Sequence, residues 1–404
     1  MPAADADPRL DRTMGRATRP GSYGGLRVVI AGGGVAGLET MLALRALAGD
    51  LVDVELVSPE HHFWYRPLAV AEPFGRAQAH PFELAATAGA VGATFTPGAV
   101  TGVEPDRNVA HTSHGLELRY DVLVVACGTK AVPALEGALA FRGPSDVERL
   151  RTLLARLEHG EVDRLAFALP APVSWSLPLY ELALLTAAHV EDRGLREVEL
   201  TLATHESAPL ERLGPAAGEA VEALLRERGI RLRTGALPGR FAAGRLELSP
   251  GPGLETDHVV ALARPEGHRV WGIPCDGAGF VPTGHDGLVE GLVDVYAAGD
   301  ITRFPIKQGG IAAQQADAVA ETIAARAGAD VEPTPFPPVL HALLLSGGEP
   351  LYLRAELGGA DPVCTISAEP LWWPPTKIAG RYLSPHLATR VTTERHARGS
   401  PPER

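Results

Sequence analysis

Gly32-x-Gly34-x-x-Gly37 stands between an apolar run, Val28 to Ala31, and the helix-periodic segment VAGLETMLALRAL. Strand, glycine turn and helix in that order leave few folds open, because each glycine has a separate task. Gly32 permits the tight strand-to-helix turn, Gly34 lets a diphosphate approach the backbone, and Gly37 lets helix and strand pack closely. Val35 and Ala36 complete the turn, and the free N–H groups at the helix start favour negative charge. A second apolar run, Val52 to Val57, follows at the spacing of a βαβ unit.

The end of that second strand usually carries an acid for ribose hydroxyls. This chain reads VELVSPEHH, with Ser58 at the expected place and Glu60 just beyond. Far downstream, VDVYAAGDITRFPIKQGGIAAQQADAVAETI gives another apolar strand that ends in Gly299-Asp300 and leads into a helix. The first motif alone indicates a dinucleotide. The two together indicate FAD, since a flavin needs a second contact along its ribityl chain.

A chain of 404 residues accommodates two ordinary domains and a tail. Its net charge of -12 argues against nucleic acid or a strongly anionic membrane as partner. No apolar run approaches the ~18 residues a membrane span requires. Residues 1–24 are polar and rich in Pro, Gly, Arg and Asp, so they read as a disordered extension rather than a signal peptide. A cytoplasmic protein is expected, at most peripheral to the inner face of the membrane. Cys127, Cys275 and Cys364 show no paired spacing, which argues against a disulfide framework and a local dithiol. His111-x-x-His114 falls in an expected turn, and no metal site is expected.

Residues 25–140 read as strand, helix, strand, the loop HHFWYRPLAVAEPFG, and a β-meander ending in VLVVACGT. A new α/β unit then fills 141–278: helix (Val147 to Leu157), strand LAFAL, helix (Leu179 to Val190), strand VELTLAT, and helix (Gly218 to Arg228). The chain returns to the first domain over 279–330, and 331–404 form a Pro-rich C-terminal segment. The expected fold is therefore α/β: two Rossmann-like three-layer domains of the FAD/NAD(P)-binding kind with β-meanders, plus the small C-terminal segment.

GxGxxG, the YRPL loop, the strand ending ACG, and YAAGD-x-x-x-FPIKQGG-x-A-x-QQA occur in an order that resembles the pyridine nucleotide-disulfide oxidoreductase superfamily. The resemblance is strongest to its sulfide:quinone oxidoreductase and type II NADH dehydrogenase branch. It implies an enzyme that passes electrons from a small-molecule donor, such as NAD(P)H, through FAD to a quinone or an electron carrier. It also implies that Asp300 bonds a ribityl hydroxyl, that Gly299 admits the pyrophosphate, and that the helix beginning near Gly309 and Gly310 points at the flavin. Ala126, Cys127 and Gly128 occupy the family's usual Ala-Thr-Gly strand end. Val100 would contact the adenine, and Arg66 and Pro67 would lie near the isoalloxazine. Glu181 matches the glutamate this branch keeps at the start of the middle domain's helix.

Three departures restrict the chemistry. After LAFAL the chain reads PAPVSWSLPLYE, so prolines and a tryptophan replace the glycines a nicotinamide site would use. Ser174 or Trp175 stands where a sulfide-oxidising relative carries a cysteine, and a thiol relay needs two thiolates within reach, which argues against sulfide oxidation. Gln314 and Gln315 survive from the quinone motif of two glutamines one turn apart, but Gly310 replaces the earlier one. Two rivals therefore stay open: a reductase of a soluble electron carrier, and a non-catalytic redox-responsive flavoprotein.

Basic residues are almost all arginine; Lys130, Lys307 and Lys377 are the three lysines. Lysine is a compact charge whose pKa moves on burial, so Lys307 is expected beside the flavin, stabilising the charge that reduction leaves there. Lys307, Glu181 and Gln314 are the candidate catalytic residues. LWWPP caps the flavin domain, a homodimer interface or a peripheral membrane contact.

Overall fold

The computed structural model describes residues 24–171, 173–357 and 362–389. The expectation of a disordered extension falls almost wholly on residues 1–23, outside the described residues.

Five parallel strands form the first sheet, in the order Val295–Ala297, Val122–Val125, Leu26–Ala31, Val52–Ser58 and Thr94–Pro97. Central strands covered on both faces read as continuous apolar runs rather than alternations, which is how VVIA and VLVV read here. The strand nearest the C-terminal motif joins the sheet beside Val122–Val125, so both glycine motifs end at the same sheet edge. Helix Val35–Ala48 packs directly on helix Gly309–Arg326. Small residues on the facing surfaces, among them Ala36, Ala43, Ala312, Ala316 and Ala320, are all buried and allow the close approach.

The meander Val100–Glu104, Val109–Thr112 and Glu117–Arg119 covers one face of this domain. Between the second and third crossovers the structure adds what the sequence reading passed over. His62–Trp64 pairs with Pro81–Glu83, and a short helix, Leu84–Ala90, follows.

The middle domain repeats the arrangement with five parallel strands, ordered Leu139–Phe141, His258–Leu262, Arg164–Leu169, Glu199–Thr204 and Arg231–Arg233. Its helices Val147–Glu158, Leu177–Asp192 and Pro215–Glu227 lie close to the expected bounds. Helix Leu177–Asp192 is buried nearly all round because it is covered from outside by the C-terminal sheet. That sheet is antiparallel: Val339–Leu344, Leu351–Glu356 and Cys364–Ser367. The C-terminal segment therefore caps both domains. Among the described residues no helix is long and apolar enough to cross a membrane.

Candidate active site

At the first sheet edge the three glycines separate cleanly by what a side chain would meet. A Cβ on Gly32 would sit 2.2 Å from the Ala126 carbonyl oxygen, and its φ of +129° already disfavours other residues. A Cβ on Gly37 would lie 1.8 Å from the Gly32 carbonyl. Gly34, the helix N-cap at φ -85°, meets no protein atom within 4 Å. Two of the glycines are thus required by the fold, and the third faces open space at a helix N-terminus. Val35 and Ala36 follow it in the first turn.

The downstream motif closes on the same point. Gly299 has φ +83°, and its added Cβ would press on Ala36 at 2.8 Å. Its N–H donates to Gln315 Oε1 at 2.8 Å, while Thr302 Oγ1 donates to its carbonyl at 2.9 Å. Asp300 follows. Its carboxylate makes no hydrogen bond among the described residues and lines a cleft of about 300 Å³ between the domains. Burial raises its pKa, against the lowering pull of Lys307 and Arg66. A half-buried acid lining a cleft without a donor suits a ligand hydroxyl.

Helix Gly309–Arg326 begins at this cleft. Gln308 is its N-cap, accepting from the Ile311 N–H at 2.9 Å and donating to the His341 carbonyl at 2.9 Å. Gln308 and Gly309 line the cleft, so the positive end of the helix faces it. Gly309 also answers a packing need, since a Cβ there would lie 2.9 Å from the Ile378 side chain. Gly310 faces the Gln308 amide rather than the cleft.

Lys307 lines the cleft, with Nζ donating to the carbonyls of Thr302 and Phe304 and resting 4.0 Å from the Phe280 ring centre. Burial pulls its pKa down to about 8, opposed by Asp300 and Asp276. Gln314 departs from expectation. Its amide donates to the Val339 and Gly310 carbonyls and accepts from the Val339 N–H at 2.9 Å. It clamps the C-terminal sheet onto the helix, with both amide atoms engaged by backbone groups.

Glu181 lies in the cleft wall, but not as a lone acid. Its two oxygens accept from Lys377 Nζ, the longer contact at 2.6 Å, and Oε1 also accepts from the Leu345 N–H at 2.9 Å. Both charged groups are buried, and Lys377 lines the same cleft. Burial raises the Glu181 pKa and Lys377 lowers it. Sequence reasoning marked both residues and missed their pairing, because they are far apart in the chain and on different domains.

The remaining expected contacts divide. Arg66 and Pro67 line the cleft. Ala126 is buried against Gly32, Gly128 turns the chain at φ +67°, and Val100 lies half-buried in the meander. Ser58 is buried near Gly33 and accepts from the Glu60 N–H at 3.2 Å; the Glu60 side chain is exposed. Burial pushes the Cys127 thiol up to about 11, which disfavours its thiolate.

Just past the end of strand Glu199–Thr204 in the middle domain stands an acid that the sequence reading overlooked. Glu206 is buried and accepts from Ser176 Oγ at 2.9 Å, Tyr180 OH at 2.6 Å and Thr204 Oγ1 at 3.1 Å. The crevice there, walled by Val173 to Ser176, holds about 30 Å³. The LWWPP segment also splits: Trp372 packs edge-to-face against His341 and Tyr352, whereas Trp373 is 85% exposed.

Residues 26–165 match the family described as pyridine nucleotide-disulphide oxidoreductase. The chain is similar to a sulfide-quinone reductase of Aquifex aeolicus, 30% identical over 195 residues, which are 44% of this chain and 43% of that protein. The match thus spans less than half of that relative's length. It is also similar to the NADH dehydrogenase-like protein Rv1812c of Mycobacterium tuberculosis, 28% identical over 68% of this chain and 72% of that one. Among solved structures, the Aquifex aeolicus sulfide:quinone oxidoreductase superposes with a TM-score of 0.75 at 20% identity, covering 85% of this chain and 87% of that one. A putidaredoxin reductase in complex with putidaredoxin gives 0.61 at 21%, covering 83% and 82%. These likenesses establish the two-domain fold.

Proposed function

We propose, from the match of residues 26–165 to the pyridine nucleotide-disulphide oxidoreductase family, that the chain is an FAD-dependent oxidoreductase reducing a quinone. The observation that carries the reading is the cleft. Asp300, Lys307 and a helix N-terminus stand at its first-domain wall, and a buried lysine–glutamate pair joins its other wall.

FAD, when bound, supplies the two-electron chemistry linking donor to acceptor. The protein's own residues do the rest. The open position at Gly34 and the helix behind it suit a diphosphate, Gly299 lets the second strand end close on Ala36 beside it, and Asp300 accepts from a ribityl hydroxyl. The N-terminus of helix Gly309–Arg326 and Lys307 favour negative charge at the cleft. Lys377 Nζ is placed to give a proton to a substrate oxygen, while its bonds to Glu181 hold that nitrogen at the cleft wall. A quinone needs such a proton source, and its apolar ring suits the walls made by Val70, Trp175, Leu177 and Leu343. The exposed Trp373 supports a peripheral contact with the membrane where quinones reside.

The test is anaerobic. The purified protein should carry a yellow chromophore that a short-chain quinone reoxidises within the dead time of manual mixing once it has been reduced. NADH, NADPH and a reduced ferredoxin are then compared as donors. A colourless protein that cannot be reconstituted with FAD removes the proposal; a reduced protein indifferent to quinone removes the acceptor.

Lys307 gives a second expectation. Holding its proton only up to about pH 8, it should put a change of slope near that pH into the flavin midpoint potential. Lys307→Met should give a straight line there and a lower potential, by spectroelectrochemistry.

A further inference from the structure

Helices Val35–Ala48 and Gly309–Arg326 cross with two carboxylates facing each other. Glu39 on the first is fully buried and accepts from the N–H groups of Tyr382 and Leu383, each at 2.7 Å. Asp317 on the second stands within hydrogen-bonding range of Glu39, yet its Oδ1 is buried without a donor. Two ionised carboxylates cannot bond each other. One proton between them converts the repulsion into a hydrogen bond, and it belongs on Asp317, because Glu39 already has two N–H donors favouring its charge.

The pair holds more than two helices together. The backbone that Glu39 binds is the same stretch that carries Lys377 into the cleft. Ile378 N–H donates to Tyr65 OH at 3.0 Å, the Ile378 side chain covers Gly309, and Gly380 passes so close to Glu39 that a Cβ there would lie 2.7 Å from its Oε2. We infer that Glu39 and Asp317 share one proton and act as positioning residues that seat the C-terminal segment, and with it Lys377, against the cleft. The role of Lys377 rests on the function proposed above; the seating itself does not.

The charged groups around the pair come from all three elements packed on it. Burial raises the Asp317 pKa most, and Glu39 and Glu321, the latter on the same helix, raise it further; Arg381 of the C-terminal segment lowers it and also bonds Glu321 at 3.1 Å. Tyr382 lies beside them with its own pKa raised by burial. The balance leaves Asp317 up at about 8. A carboxyl raised in the folded state takes up a proton on folding, so stability from the pair weakens as pH rises above the ordinary carboxyl range, and the local charge change centres near 8.

Hydrogen exchange on the FAD-reconstituted protein reads this directly, without turnover. After correction for intrinsic base catalysis, protection of the Tyr382 and Leu383 amides should fall at least tenfold between pH 7 and pH 9.5. In Asp317→Asn, where the amide donates to Glu39 at every pH, the fall should vanish. Glu39→Gln should abolish it too, and serves if Asp317→Asn fails to fold. Protection that does not change with pH in the parent protein, or a transition surviving in either variant, overturns the inference. Failure to reduce quinone would leave this readout intact.

Discussion

Lys377→Met should lower quinone reduction by ~10²-fold or more, the ordinary worth of a positioned general acid, and should cost about 3–5 kcal/mol of stability. The second effect comes from what is left behind. Glu181 would lie buried with one N–H donor from Leu345 in place of three contacts, and an unpaired buried charge is among the costliest single defects. The two effects can be separated. In the double variant Lys377→Met/Glu181→Leu the orphaned charge is gone, and apolar replacement of a buried ion pair is often close to neutral. Denaturant unfolding should therefore return to within about 1.5 kcal/mol of the parent, while stopped-flow reoxidation by quinone stays slow. Recovery of turnover together with stability would mean that Lys377 is structural only.

The glycine turn yields the second large effect, as a contrast between neighbours. Gly32→Ala forces a left-handed backbone on alanine and a Cβ into the Ala126 carbonyl at 2.2 Å. Backbone cannot move aside as a flexible side chain can, so the variant should lose about 3 kcal/mol or more and express poorly. Gly34→Ala has an extended backbone acceptable to any residue and a Cβ that meets nothing. Its thermal unfolding without cofactor should match the parent within about 0.5 kcal/mol, yet FAD should no longer survive gel filtration. The methyl would stand where the diphosphate approaches. A Gly34→Ala protein that stays yellow at parent affinity would show that the ligand does not pass this glycine.

The sequence was most informative where chemistry is local. Gly32, Gly34 and Gly37 are separated by fixed offsets, and their needs are set by a single turn. The strand endings at Gly299 and Asp300 were legible for the same reason. The helices of the middle domain could be placed almost to their ends, because apolar spacing and flanking strands agree there. The scarcity of lysine drew notice to Lys307 and named Lys377 beside it, but gave Lys377 no partner. Gln314 misled: a glutamine after a glycine turn looks the same in sequence whether its amide meets a ligand or the backbone of Val339.

Taken alone, the amino-acid order determined two nucleotide-type crossovers, their glycine chemistry, and a middle domain whose own turn had lost its glycines. Folding decided which distant side chains share a proton or a charge: Lys377 with Glu181, Asp317 with Glu39, Glu206 with Tyr180 and Ser176. Turns depend on neighbours in the chain, so local residue types encode them. Buried polar pairs depend on the low-dielectric space that several elements enclose together, and no local stretch of chain carries that information.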